Sequence, residues 1–236
     1  MQKQPHAVIT GATHGIGSAI AKHLLAAGFR LSICARNAGE LSATAAEWQA
    51  QYPGQAIQHL PADVSIKSEV EAFARLALGT GDVDILVNNA GAFLQGDVAT
   101  EPEGQLQTLL DTNLMSAYHL TRALLPKMKA QGSGHIFNIC SIASLKAYPG
   151  GGAYSISKYA LLGFSDNLRE ELKPTGIRVT AICPGAVWTN SWSSSGIEPT
   201  RIMEAEDIAK MLWAAYTLSN QANVENIVLR PTAGDL

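Results

Sequence analysis

Apolar runs of five to seven residues alternate along the chain with longer stretches whose apolar positions recur at helical spacing. HAVIT (6–10), RLSICA (30–35), AIQHLP (56–61), DILVNN (84–89), HIFNIC (135–140), IRVTAIC (177–183) and ENIVL (225–229) read as strands. Helical patterns lie between them: Gly15 to about Ala27, an Ala-rich stretch ending near Tyr52, Ser65 to Leu78, about 104–130, about 153–173 and about 204–218. Ser65 has the side chain of an N-cap for the third of these. Seven strands joined by helical crossovers imply a parallel sheet covered on both faces. Right-handed crossovers then predict an α/β, single-domain Rossmann fold with a doubly wound seven-stranded sheet. No long linker, repeat or composition break divides residues 1–236, so one domain is expected.

Composition narrows the class. The 236 residues are 47% hydrophobic and 16% charged, as in soluble globular proteins. A net charge of -3 makes no electrostatic case for nucleic acid or an anionic membrane. The start, MQKQPHAVITG, shows no secretory leader, and no apolar run reaches the roughly 18–20 residues of a membrane span. A cytoplasmic protein is expected. Cys34, Cys140 and Cys183 are odd in number, lie in strand-like segments and lack metal-ligand spacing. They are expected to be buried, reduced thiols, with no metal site.

TGATHGIG, residues 10–17, places Gly11, Gly15 and Gly17 at the first strand-to-helix junction. Ligands of an open parallel sheet bind beyond the carboxyl ends of its strands. Gly11 would permit the tight turn, Gly15 the approach of a pyrophosphate to main-chain N–H groups, and Gly17 close packing of helix on sheet. The spacing differs from G-x-G-x-x-G, and glycines used only for packing are the plain alternative. The second strand ends in Arg36 where an NAD site usually carries an acid; the first acid is Glu40. An arginine can fork onto a 2′-phosphate, so NADP(H) is favoured and NAD(H) stays possible. His14 can add a donor to that phosphate; a solvated Arg36 and a surface His14 are the bland alternatives.

AYSISK (153–158) opens a helix with Tyr154 and Lys158 spaced i, i+4, hence on one face with Cβ atoms about 5–6 Å apart. A phenol's pKa near 10 is high for proton exchange at neutral pH, and a nearby ammonium would lower it. Ser141 follows the strand HIFNIC and so stands beside the ligand crevice, where its hydroxyl can donate to a carbonyl oxygen gathering charge. Asn113 falls on the apolar stripe of Leu106, Leu109 or Leu110, Ala117, Leu120 and Leu124, which implies a buried amide needing partners. A satisfied core asparagine is the usual alternative.

Together TGATHGIG, NNAG (88–91), Asn113, Ser141, Tyr154-Ser-Ile-Ser-Lys158 and Pro184-Gly185 resemble, in order, the motifs of the short-chain dehydrogenase/reductase family. The resemblance spans about 6–229; its general look is that of bacterial 3-oxoacyl-acyl-carrier-protein reductases and NADPH-dependent carbonyl reductases. It implies that Tyr154 is the general acid of carbonyl reduction, that Lys158 lowers its pKa and holds the nicotinamide ribose, and that Ser141 polarises the carbonyl. It gives Asn113 a water that links Lys158 to solvent. Gly11 to Gly17, including Thr13, His14, Gly15 and Ile16, would carry the pyrophosphate. Asp63 and Val64 would flank the adenine, although Asp63 also suits a plain turn. Asn89, Ala90 and Gly91, next to Asn88, would lie by the adenosine ribose, and Pro184, Gly185, Val187 and Thr189 would hold the nicotinamide amide. The expected function is NADPH-dependent reduction of a ketone or aldehyde, with a free or carrier-linked small-molecule substrate. An NAD-dependent alcohol dehydrogenase acting oxidatively and a non-catalytic dinucleotide sensor or scaffold are the alternatives. A homodimer or homotetramer is implied, although LSNQANVENIVLRPTAGDL lacks the family's glycine-rich ending. The brief loop NSWSSSGIEPTRIM predicts a pocket open on one side, with Trp188 and Trp192 as candidate lining.

Overall fold

The computed structural model describes residues 4–189, 192 and 196–235. Seven parallel strands form one sheet in the order β3-β2-β1-β4-β5-β6-β7. They are β1 (His6–Thr10), β2 (Arg30–Ala35), β3 (Ile57–Pro61), β4 (Ile85–Asn88), β5 (Gly134–Ile139), β6 (Ile177–Pro184) and β7 (Asn226–Leu229). The order reverses between β1 and β4, which opens a crevice between their carboxyl ends.

Strand residues point alternately to the two faces, and the core divides accordingly. Ala7 and Ile9 pack under α1 (Gly15–Ala26), α2 (Ala38–Gln51) and α7 (Ala205–Tyr216), against Leu24, Trp48 and Leu212. Val8 faces the opposite layer of α3 (Lys67–Thr80), α5 (Ser116–Gln131) and α6 (Gly152–Leu172), against Phe73, Leu124 and Leu172. The three cysteines are free and buried, as expected from their strand-like surroundings, and burial pushes the Cys34 thiol up to about 12. No helix among the described residues is long and apolar enough to cross a membrane.

Two local expectations are corrected. The pattern over 104–130 is not one continuous helix: α4 (Gln105–Leu110) passes through a π-helical turn, Asp111–Met115, into α5. The wider turn carries Asn113, and such insertions mark places where a side chain must be re-aimed. Nor does Ser65 cap α3, which starts after Ile66. Its N–H and hydroxyl both donate to Asp63 Oδ1, at 2.9 and 2.7 Å, closing a turn one step earlier.

Candidate active site

The β1–α1 junction is built around backbone contacts that admit no side chain. Gly11 (φ +65°) and Gly15 (φ +52°) occupy the left-handed region. A Cβ on Gly17 would stand 2.2 Å from the carbonyl oxygen of Gly11 and 2.5 Å from Asn89 Nδ2. Asn89 Nδ2 donates to the carbonyls of Thr10 and Gly11, both at 2.9 Å. Thr10 Oγ1 in turn accepts the N–H groups of Asn89 (3.1 Å) and Ala90 (3.0 Å). The strand ends of β1 and β4 are thereby locked together at the mouth of the crevice. Beyond them α1 opens with no side-chain cap and no acid in its first turn, so its N-terminal N–H groups and dipole face the crevice as an anion site. Such a cradle fits a dinucleotide's pyrophosphate, with Thr13 and Ile16 on the same turn.

Of the other residues expected at a cofactor, Arg36 is exposed just past β2, and its charge helps hold the Asp63 carboxyl below its ordinary pKa, after the larger effect of the Ser65 hydrogen bonds. His14 does not point a free donor at that corner: its Nε2 lies 3.1 Å from Glu40 Oε2. Val64 is buried in the core beside α3. Pro184 ends β6, and the N–H of Gly185 donates to Leu229 O at 2.8 Å. Val187 is buried and bridges to Met203, and a Cβ on Gly15 would meet Thr189 Cγ2 at 2.7 Å, which brings that segment to the glycine junction. Trp188 lines a cleft of about 1010 Å³ shared with Gly15, Lys22 and Met203. The expected short lid falls partly on residues 190, 191 and 193–195, outside the described residues; Trp192 is fastened by its N–H to Thr189 O at 2.9 Å.

The polar constellation sits at the carboxyl ends of β4 and β5. Asn113 is 1% exposed and fully bonded: Oδ1 accepts the N–H of Ala92 (2.7 Å), and Nδ2 donates to Ala92 O (3.0 Å) and Ser157 Oγ (2.9 Å). Ser157, absent from the sequence-based set, donates to the carbonyl of Tyr154 at 2.8 Å and so ties Asn113 to the first turn of α6. Its signal was its place in Tyr-Ser-Ile-Ser-Lys. Gly91 stands between: a Cβ there would lie 3.1 Å from Asn113 Oδ1 and 3.5 Å from Lys158 Nζ. Asn88 turns the other way, donating to Thr121 Oγ1 and Asn138 Oδ1 inside the core.

Lys158 is buried; its Nζ donates to Ile139 O at 2.9 Å and lies 5.9 Å from the centre of the Tyr154 ring. The two side chains therefore share a face, as i, i+4 spacing requires. Ser141, buried just past the end of β5, takes the N–H of Ala143 at 3.1 Å and stands close enough to the Tyr154 phenol to pull its pKa down. Phe93 lays its edge on the Tyr154 ring, with centroids 4.9 Å apart. The expected acidification of the phenol does not arise from the protein's own groups. Burial raises the Tyr154 pKa, against the pull of the Ser141 hydrogen bond, and burial lowers that of Lys158. Desolvation is the largest cause of both shifts.

A parallel sheet with a phosphate-type junction and a Ser–Tyr–Lys cluster at its switch point defines a dinucleotide-dependent oxidoreductase of the Rossmann class. Comparison places it more narrowly. Residues 5–198 match the family model described as short chain dehydrogenase, and the chain belongs to that family. It is 32% identical over 230 residues, 97% of this chain and 98% of the relative, to an uncharacterized oxidoreductase of Staphylococcus epidermidis. Among solved structures it is similar to an alcohol dehydrogenase from the archaeon Thermococcus sibiricus complexed with 5-hydroxy-NADP (TM-score 0.90, 28% identity, 99% of each chain). It also resembles L-sorbose reductase from Gluconobacter frateurii complexed with NADPH and L-sorbose (TM-score 0.90, 26% identity, 99% of this chain and 97% of that one).

Proposed function

We propose that the chain reduces a ketone or aldehyde to an alcohol with NADPH, Tyr154 serving as the proton donor. The observation that carries this reading is the meeting of Ser141 and Tyr154 beyond the strand ends, with Lys158 Nζ 5.9 Å from the Tyr154 ring. A bound nicotinamide supplies the hydride. The chain's own residues supply the rest. Ser141 and Tyr154 can both donate to one carbonyl oxygen, polarising it as negative charge develops. A phenol whose pKa is raised by burial carries its proton at neutral pH and so has one to give to a forming alkoxide. Lys158 brings positive charge beside the phenolate left after transfer, and the Asn113–Ser157 bonds hold the turn that carries both.

The pyrophosphate would lie on Gly11 to Gly17 at the start of α1, with Asn89, Ala90 and Gly91 on the opposite wall and Pro184 to Thr189 across the mouth. Arg36, with no acid at the end of β2, supports a 2′-phosphate and hence NADPH. The NADP-type ligands named for the two structural relatives point the same way. Phe93 supplies an apolar wall beside the proton donor. Tyr154→Phe removes the proton and little else. Turnover of NADPH with a panel of carbonyl compounds should fall by on the order of 10²-fold or more, with the NADPH Kd within about twofold of wild type. Unchanged turnover would refute the assignment.

A further inference from the structure

The helix that carries Tyr154 and Lys158 has no cap of its own. Gly151 stands at its N-cap position with no side chain to accept the first-turn N–H groups. The acceptor comes instead from the loop between β4 and α4. Glu101 Oε2 takes the N–H of Ala153 at 3.0 Å, one residue before Tyr154. Gln105 donates to the same oxygen at 3.2 Å, from a buried side chain. Two neighbours fasten the same turn: Gly96 N–H donates to Gly150 O at 3.0 Å, and Gly150 N–H donates to Asp97 Oδ1 at 3.0 Å. Gly152 (φ +28°) makes the approach feasible, since a Cβ there would lie 2.6 Å from Glu101 Oε2 and 2.3 Å from Gly96 O. At the other end of this segment Phe93 touches the Tyr154 ring.

We propose that Glu101 is a positioning residue for the reaction. Its carboxylate pins the first turn of α6 and so holds the Tyr154 hydroxyl in register with Ser141, without touching the reacting atoms. An orphan N–H at a helix start needs an acceptor, and a carboxylate there gains both a charge-assisted bond and the favourable end of the helix dipole. Slack of about 1 Å in that turn would be felt at the phenol, where such a misplacement costs on the order of 10²-fold in rate. The inference rests on Tyr154 being the proton donor.

Two variants of similar length separate the acceptor from the bulk. Glu101→Gln keeps an oxygen at the end of the side chain; Glu101→Met keeps the length and removes the acceptor. Glu101→Gln should retain kcat within about threefold of wild type, whereas Glu101→Met should lose about tenfold or more with the NADPH Kd changed less than about twofold. Amide hydrogen exchange in a peptide spanning 150–156 should accelerate about tenfold in Glu101→Met and stay at the wild-type rate in Glu101→Gln. Wild-type kcat in Glu101→Met, equal losses in both variants, or absence of a cooperative thermal transition in Glu101→Met would each overturn the proposal. If wild type reduces no carbonyl in the panel, the functional reading fails by itself, and the exchange contrast still decides whether Glu101 holds the helix.

Discussion

His135 makes the stability of this fold depend on pH in a way that can be calculated. It lies on β5, fully buried and stacked on Phe137 with ring centroids 3.9 Å apart. Thr180 Oγ1 donates its proton to Val224 O, so at 2.7 Å it must accept from His135 Nε2, which places the ring proton there. Nδ1 then faces the core with no partner. Burial, aided by the charge of Arg178, pushes the ring's pKa from 6.5 down to about 2. The unfolded chain therefore binds a proton below pH 6.5 that the folded chain refuses until about pH 2. Stability from this residue is complete above pH 6.5 and falls with acidification, by about 1.4 kcal/mol per pH unit. By pH 4.5 the loss is about 3 kcal/mol, a large share of a typical 5–15 kcal/mol. His135→Gln keeps a donor for Thr180 and removes the titration. Urea unfolding of both proteins between pH 7.5 and 4.5 isolates the term, because every other group titrates in both. Wild type should start the more stable, and its advantage should shrink by about 3 kcal/mol across the series. Parallel curves, with a difference constant to about 0.5 kcal/mol, would refute the reasoning.

Two further outcomes follow from the crevice. In Gly17→Ala the new methyl would stand 2.2 Å from Gly11 O, so the junction must open and the Asn89 hydrogen bonds loosen. Thermal stability should drop by about 1–3 kcal/mol and NADPH affinity by about tenfold or more, and a wild-type fluorescence titration would contradict this. Arg36→Ala should weaken NADPH about tenfold while leaving NADH binding unchanged, because the guanidinium can act only on the 2′-phosphate. Equal binding of both cofactors by wild type would remove that role.

Much of the site was legible because it depends on local rules. Residues four apart on a helix share a face, and that placed Tyr154 with Lys158. A glycine cluster after the first strand marked the junction where a Cβ would collide with the main chain. The buried amide at Asn113 was legible as a polar residue on an apolar stripe, but the π-turn that carries it was not, since the Ala92 backbone groups it bonds lie 21 residues away. His14 was a candidate phosphate donor by position, yet its nearest partner is Glu40, 26 residues away.

The alternation of apolar runs and helical stretches by itself determined the layered parallel sheet, because a helical crossover returns the chain to start each strand at the same end and covers a face of the sheet. It also determined which short motifs meet at the strand ends. Only the tertiary structure decided the bracing of those motifs and the direction in which burial moves their pKa values. Desolvation of Tyr154 and Lys158, and the reach of Glu101 to a helix start 52 residues away, come from segments distant in the chain that packing brings within bonding distance.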